Sequence, residues 1–229
     1  MRAGRADKRS RRVAIVAITG LVVALSTVTA YAALLTTAAS NLSVFKPTKL
    51  PGCRFPGAQT LIGAQDSYVD QDAPTATNGS DVNLYILSKT TFLGLGGDDN
   101  RRTYVQFTLP SLPEACDLTQ ATLRLHAKSA ASGRTIQAFR ANGAWAESSV
   151  TWNNQPGGTG TAATSASGTG WRTWTVTAHV QQMYTGPNNG FMLRDATEND
   201  GTSGHSQNYH SSEDTLNRPE LIITIGNPP

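Results

Sequence analysis

The chain has 229 residues, 38% hydrophobic and only 15% charged, with 21 Gly, 11 Pro and two Cys. Soluble chains are usually about 25% charged; here Thr, Ser, Asn and Gln fill the gap, which suits short strands and polar turns and excludes collagen, coiled coil and wholesale disorder. The formal charge of +3 comes from the N-terminus: six of nineteen basic residues and one of sixteen acids lie in residues 1–32, leaving thirteen basic, fifteen acidic and a net −2. A body of that charge lacks the electrostatic footprint of a nucleic-acid binder.

Residues 1–32 read as a signal peptide or N-terminal membrane anchor. A basic segment ends at Arg12, an apolar run follows from Val13 to Leu25, and Ala30-Tyr31-Ala32 has the small-x-small form of a cleavage site. The uncharged stretch is also long enough to span a bilayer. In both cases the body is exported and membrane contact is confined to this segment, so the expected location is extracellular. Residues 33–58, with Pro47, Pro51, Gly52, Pro56 and Gly57, form an arm or linker, and residues 59–229 form the domain. Export lets Cys53 and Cys116 pair, closing a loop of about 60 residues.

From Gln59 the chain is a series of period-two runs broken by Gly, Asn, Asp and Pro. The expected strands are Ser67–Val69, Asn83–Leu87, Thr103–Leu109, Gln120–Ser129, Arg134–Arg140, Arg172–Val176, Gly190–Asp195, Gln207–His210 and Pro219–Ile225. Val105 and Phe107 alternate with Tyr104 and Gln106; Leu123 and Leu125 alternate with Arg124 and His126. That is the pattern of half-buried antiparallel strands. One helix is expected, with Thr177 as N-cap, a Val180–Met183–Tyr184 stripe and a stop at Gly186-Pro187. Thr159–Gly170, almost pure Gly, Thr, Ala and Ser, reads as a mobile loop. The fold class is all-β: an antiparallel two-sheet sandwich, jelly-roll-like, with one short helix.

The catalytic inventory is thin. There is no G-x-S-x-G elbow and no H-E-x-x-H, and the pool of Asp66, Asp70, Asp72, Glu147, Asp195, Glu198, Glu213 and Asp214 offers no pair that sequence can place across a cleft. The expectation is a protein that is not an enzyme and has no cofactor. Asp98-Asp99-Asn100 and Asp195 to Asp200 resemble oxygen-rich loops that could take a structural Ca²⁺, though neither has EF-hand spacing; metal ligands are otherwise unknown.

Aromatics are where a sugar binder shows itself, because sugar rings stack their C–H faces on exposed Trp or Tyr. Trp174 shares a face with Val176 and points inward. Trp145 and Trp152 read as structural plugs at a sandwich end, with Glu147 accepting backbone N–H groups. Trp171, out of phase with Trp174, is the exposed candidate. On Gln120–Ser129 the same parity projects Arg124, His126 and Lys128 together, at intervals of about 6.5–7 Å. Two cations and a histidine in a row suit an acidic glycan chain; the alternative is a solvated outer face whose cations are neutralised by acids on neighbouring strands.

Asn100-Arg-Arg-Thr-Tyr104-Val-Gln-Phe107, Ala121-Thr-Leu-Arg-Leu125, Trp145-Ala-Glu147 to Asn154, Trp171-Arg-Thr-Trp174, Asn189-Gly-Phe-Met-Leu-Arg194-Asp195 and Pro219-Glu-Leu-Ile-Ile-Thr224 follow in order. Together with Asp66-Ser-Tyr68-Val69 they resemble the DNRLRE-domain family over roughly residues 65–226. The resemblance implies a β-sandwich of bacterial extracellular and cell-surface proteins, some of them carbohydrate-binding modules for acidic polysaccharides. The functional expectation is a secreted or surface-tethered, non-catalytic module whose partner is a polysaccharide or cell-surface component. The alternative is a structural cell-surface or extracellular-matrix protein acting through protein–protein contacts.

Overall fold

The alternating runs form antiparallel strands in the computed structural model, which describes residues 52–91 and 97–228. The leader and the arm up to residue 51 lie outside the described residues. In chain order the elements are β1 (Gly57–Ile62), β2 (Gln65–Asp70), β3 (Asn83–Ser88), β4 (Arg101–Gln106), β5 (Asp117–Ala130), β6 (Thr135–Ala141), β7 (Gly158–Ala166), β8 (Gly170–Thr175), α1 (Thr177–Thr185), β9 (Phe191–Asp195), β10 (His205–His210) and β11 (Glu220–Gly226).

β5, fourteen residues long, is the spine. β11 and β10 lie end to end along one of its edges and β8 along the other; β1 extends this wall beyond β11. In the second wall β4 carries β2 on one edge and β9 on the other, followed by β6 and β7. β3 pairs along its length with β10 and at Leu87 with Arg101 of β4, so one sheet curls into two walls. This is the expected all-β sandwich.

The inward residues of both walls make the core: Leu123 and Leu125 of β5, Leu221 and Ile223 of β11, Val105 of β4, Leu193 of β9, and Trp174 of β8. Burying each such side chain is worth about 1.5–3 kcal/mol. The helix adds Val180 and Met183. The chain enters β9 through Gly190 at φ +71°, where a Cβ would stand 2.3 Å from the Val105 carbonyl oxygen, so only glycine fits. The Cys53–Cys116 disulfide is formed, with Cα atoms 4.5 Å apart, and ties the segment before β1 to the start of β5.

Three expectations need correction. Thr159–Gly170 is not a mobile loop: most of it is β7, paired with β6 from Ala141↔Gly158 to Thr135↔Ala166. A backbone ladder needs no large side chains, and threonine favours extended backbone. Thr177 is not the N-cap. Val176 holds that position with no side-chain cap, while the Thr177 hydroxyl accepts the Ala121 N–H at 3.0 Å and pins the helix start to β5. Trp145 and Trp152 do not plug an end. Both lie half-buried over the outer face of the second wall, where with Val150 they cover Val69, Tyr104, Ala141 and Met192 in a second apolar cluster. Trp145 Nε1 donates to the Asn189 carbonyl at 2.8 Å, and the Arg102 guanidinium lies 4.7 Å over the Trp152 ring. Strand parity alone puts Tyr104 in solvent, yet it is fully buried under this cover.

Candidate functional site

On β5 the residues out of phase with Leu123 and Leu125 are Arg124, His126 and Lys128, and all three are half-buried on the outer face. The sheet register decides what each meets. Arg124 stands opposite Glu220 of β11 and Thr173 of β8. Its Nε donates to Glu220 Oε2 at 2.5 Å, and the guanidinium carbon lies 4.3 Å over the Trp171 ring. His126 is the cross-strand partner of Trp171 and meets it edge-on, ring centroids 5.2 Å apart. The His210 ring lies 5.1 Å from His126 on the other side. Lys128 Nζ donates to Asn83 Oδ1 at 2.8 Å and to the Val82 carbonyl, with Asp214 Oδ2 at 3.3 Å.

The four expected residues therefore form one surface, and Trp171 belongs to it while Trp174, three residues on, is in the core. The acids that the solvated-face alternative called for are present, but the sequence does not name them: Glu220 beside Arg124 and Asp214 beside Lys128. Glu220 becomes visible only once β11 is registered against β5. Burial, and secondarily the neighbouring His210, lower the pKa of His126, so it stands neutral at pH 7. Asp214 is held well below the usual carboxylate range by the Leu216 backbone N–H and by His210, whose Nδ1 lies 2.6 Å away.

A separate groove of about 780 Å³ opens beside the end of α1, lined among others by Gln106, Thr108, Pro110, Ser111, Tyr184 and Asn188. The acidic loops have arginine partners. Arg134 takes Asp195 with two hydrogen bonds of 2.9 Å and reaches Asp200, Arg102 grips Glu198 at 2.7 and 2.8 Å, and Arg101 lies 3.9 Å from Asp99. Another acidic group has no basic partner among the described residues: Asp66, Glu147 and Glu213 converge with their carboxylates within 4.8 Å of one another.

Residues 57–225 match the profile of carbohydrate-binding module family 96. The chain belongs to this family. The match runs from the first residue of β1 to within one residue of the end of β11, so it takes in both walls and the helix. Comparison with curated proteins finds no match. A family 96 module is a binding module, and its partner class is carbohydrate.

Proposed function

We propose that this family 96 module is exported, secreted or tethered by its leader, and holds an acidic polysaccharide along the outer face of β5 without cleaving it. Kinship with DNRLRE-domain proteins, drawn from the same motifs, is part of the reading. The observation that carries it is the use Arg124 makes of its donors. Glu220 occupies Nε and Trp171 backs the guanidinium plane, while the two terminal amino groups have no protein acceptor among the described residues. A guanidinium fixed in this way is preorganised for a sugar carboxylate, because its fork matches a carboxylate bidentately and little side-chain freedom remains to be lost. Lys128, four residues along, offers a second cation about 13–14 Å away on the strand, and His126 lies between them. Because each cation already has an acid beside it, the attraction is modest and screened by salt. The disulfide supports an oxidising location.

The test is retention on polyuronate and on a neutral glucan at low and high salt. Polyuronate retention that falls with salt, and drops about tenfold in the Arg124→Ala/Lys128→Ala double variant, supports the reading. Unchanged retention in that variant removes the β5 face. The groove beside α1 favours a second reading, a neutral chain held by amides and hydroxyls, since its volume suits a short oligosaccharide. Ser111→Trp, at an exposed position on its rim, separates the two: it abolishes glucan retention if the groove is the site and leaves polyuronate retention intact if β5 is.

A further inference from the structure

We propose that Asp66, Glu147 and Glu213 form a Ca²⁺ site that fastens the tryptophan-bearing segment to the sandwich. The three come from distant parts of the chain: Asp66 from β2, Glu147 from the segment between β6 and β7, and Glu213 from the loop between β10 and β11. Their carboxylate oxygens lie within 4.8 Å of one another, a spacing that one ion with Ca–O distances of about 2.3–2.6 Å bridges.

Asp66 is the most deeply buried of the three, only 1% exposed. Oδ2 accepts the Ser212 N–H at 2.8 Å, while Oδ1 is buried with no hydrogen-bonding partner. A buried carboxylate oxygen without a donor is costly, and the two carboxylates gathered beside Asp66 are further acceptors. No lysine or arginine pairs with any of the three among the described residues, in contrast to Asp195, Glu198, Glu220 and Asp214. Burial, with Glu213 second, pushes Asp66 up to about 7, and burial raises Glu147 as well. A divalent cation among the three would offset the mutual repulsion of their charges.

The surroundings fit an ion with hard oxygen ligands. Glu147 is oriented by the Asp66 N–H, which donates to Oε1 at 3.1 Å, and by its own N–H, which donates to Gln65 Oε1 at 3.2 Å. Gly79 lies so close that a Cβ would stand 2.4 Å from the Glu147 carbonyl oxygen and Cγ. A cavity of about 470 Å³ lined by Thr77, Ser80, Ser148 and Glu213 gives water and an ion access. All three ligands are carboxylates, with no histidine or cysteine, which is the donor set of Ca²⁺ rather than of zinc.

The test uses the full-length chain stripped with EDTA and titrated with CaCl₂, followed by calorimetry, thermal unfolding and tryptophan emission. Binding with Kd of the order of 0.1–1 mM is expected for an extracellular oxygen site, with a Tm rise of about 5–10 °C near saturation and a change in emission as Trp145 and Trp152 settle. Glu213→Gln, at an exposed position, weakens Ca²⁺ binding about tenfold or more and raises the Tm of the calcium-free protein by relieving repulsion, which also shows that the variant folds. No heat and no Tm change up to about 10 mM CaCl₂, or wild-type Ca²⁺ affinity in both Glu213→Gln and Glu147→Gln, overturns the proposal. So does a Tm that ignores Ca²⁺ but rises as the pH is lowered from 8 to 6, because the cluster is then held by shared protons.

Discussion

The two walls of the sandwich carry the same alternation and treat their outer faces differently. On the β4–β9 wall the outward Tyr104 and Met192 are buried beneath Trp145, Val150 and Trp152. On the β5 wall the outward Arg124, His126 and Lys128 stay half-exposed, each beside a partner from a neighbouring strand or loop. The outward residues differ in kind: mostly large and apolar under the cover, polar or charged where there is none. Period two tells which residues share a face, and their chemistry tells whether that face awaits another segment. The covered face stabilises; the open one is free to meet a ligand.

The strongest way to break this contrast is to remove the covalent tie of the open wall. That wall ends in β1, nearly every residue of which is exposed, and Cys53–Cys116 anchors the chain just before it. Cys53→Ser with Cys116→Ser should cost about 4 kcal/mol by loop-closure entropy, read from urea unfolding under oxidising conditions, whereas a loss below 1 kcal/mol means β1 needs no tether. Next is the cover itself. Trp145→Ala removes a half-buried indole and its hydrogen bond to Asn189, and about 3 kcal/mol of stability should go with it. Trp171→Ala on the open face should cost about 1 kcal/mol and leave the fold intact. Equal losses would mean that the two faces are equivalent.

A pH series sharpens the comparison further. Folding lowers the pKa of His126, through burial and then His210, and of His179, chiefly through burial. The unfolded chain therefore binds these protons more readily. Their contribution is complete above about pH 6.5 and is lost as pH falls below it. Asp66, raised to about 7, contributes with the opposite sign over the same window, so the histidine part is read as a difference: from pH 7.5 to 5, His126→Gln should lose less stability than the wild type. The smallest effect is expected for Arg124→Ala, about 0.5–1 kcal/mol, since a partly exposed ion pair contributes little; a loss comparable to that of Trp145→Ala would make Arg124 a structural residue.

Most of this architecture can be read from the chain. Nine strands stand out because their alternate residues are large and apolar, as in Leu123-Arg-Leu125 and Leu221-Ile-Ile223. β1 and β7 do not, because Gly57–Ile62 and Gly158–Ala166 contribute almost nothing large to the core and exist through their ladders. The phase difference between Trp171 and Trp174 is legible in three residues of spacing. The Asp66–Glu147–Glu213 convergence is not, since it depends on where two loops return to β2. Asp66 and Glu147 both stand in motifs noted in the sequence, but nothing in either motif says that they face each other.

The disulfide has a mechanical consequence. Cys53 precedes β1 and Cys116 opens β5, so β1 to β4 lie inside a covalent loop with a sequence separation of 63. Tension applied between the two ends of the chain passes from Cys53 across the sulfur bridge directly into the spine strand. β1, whose hydrogen bonds to β11 would otherwise unzip one after another from Gly57, is bypassed by that force. A module tethered at one end and pulled by a bound polymer would stretch first from β5 onward, and the first four strands could not be drawn out while the bridge stays oxidised.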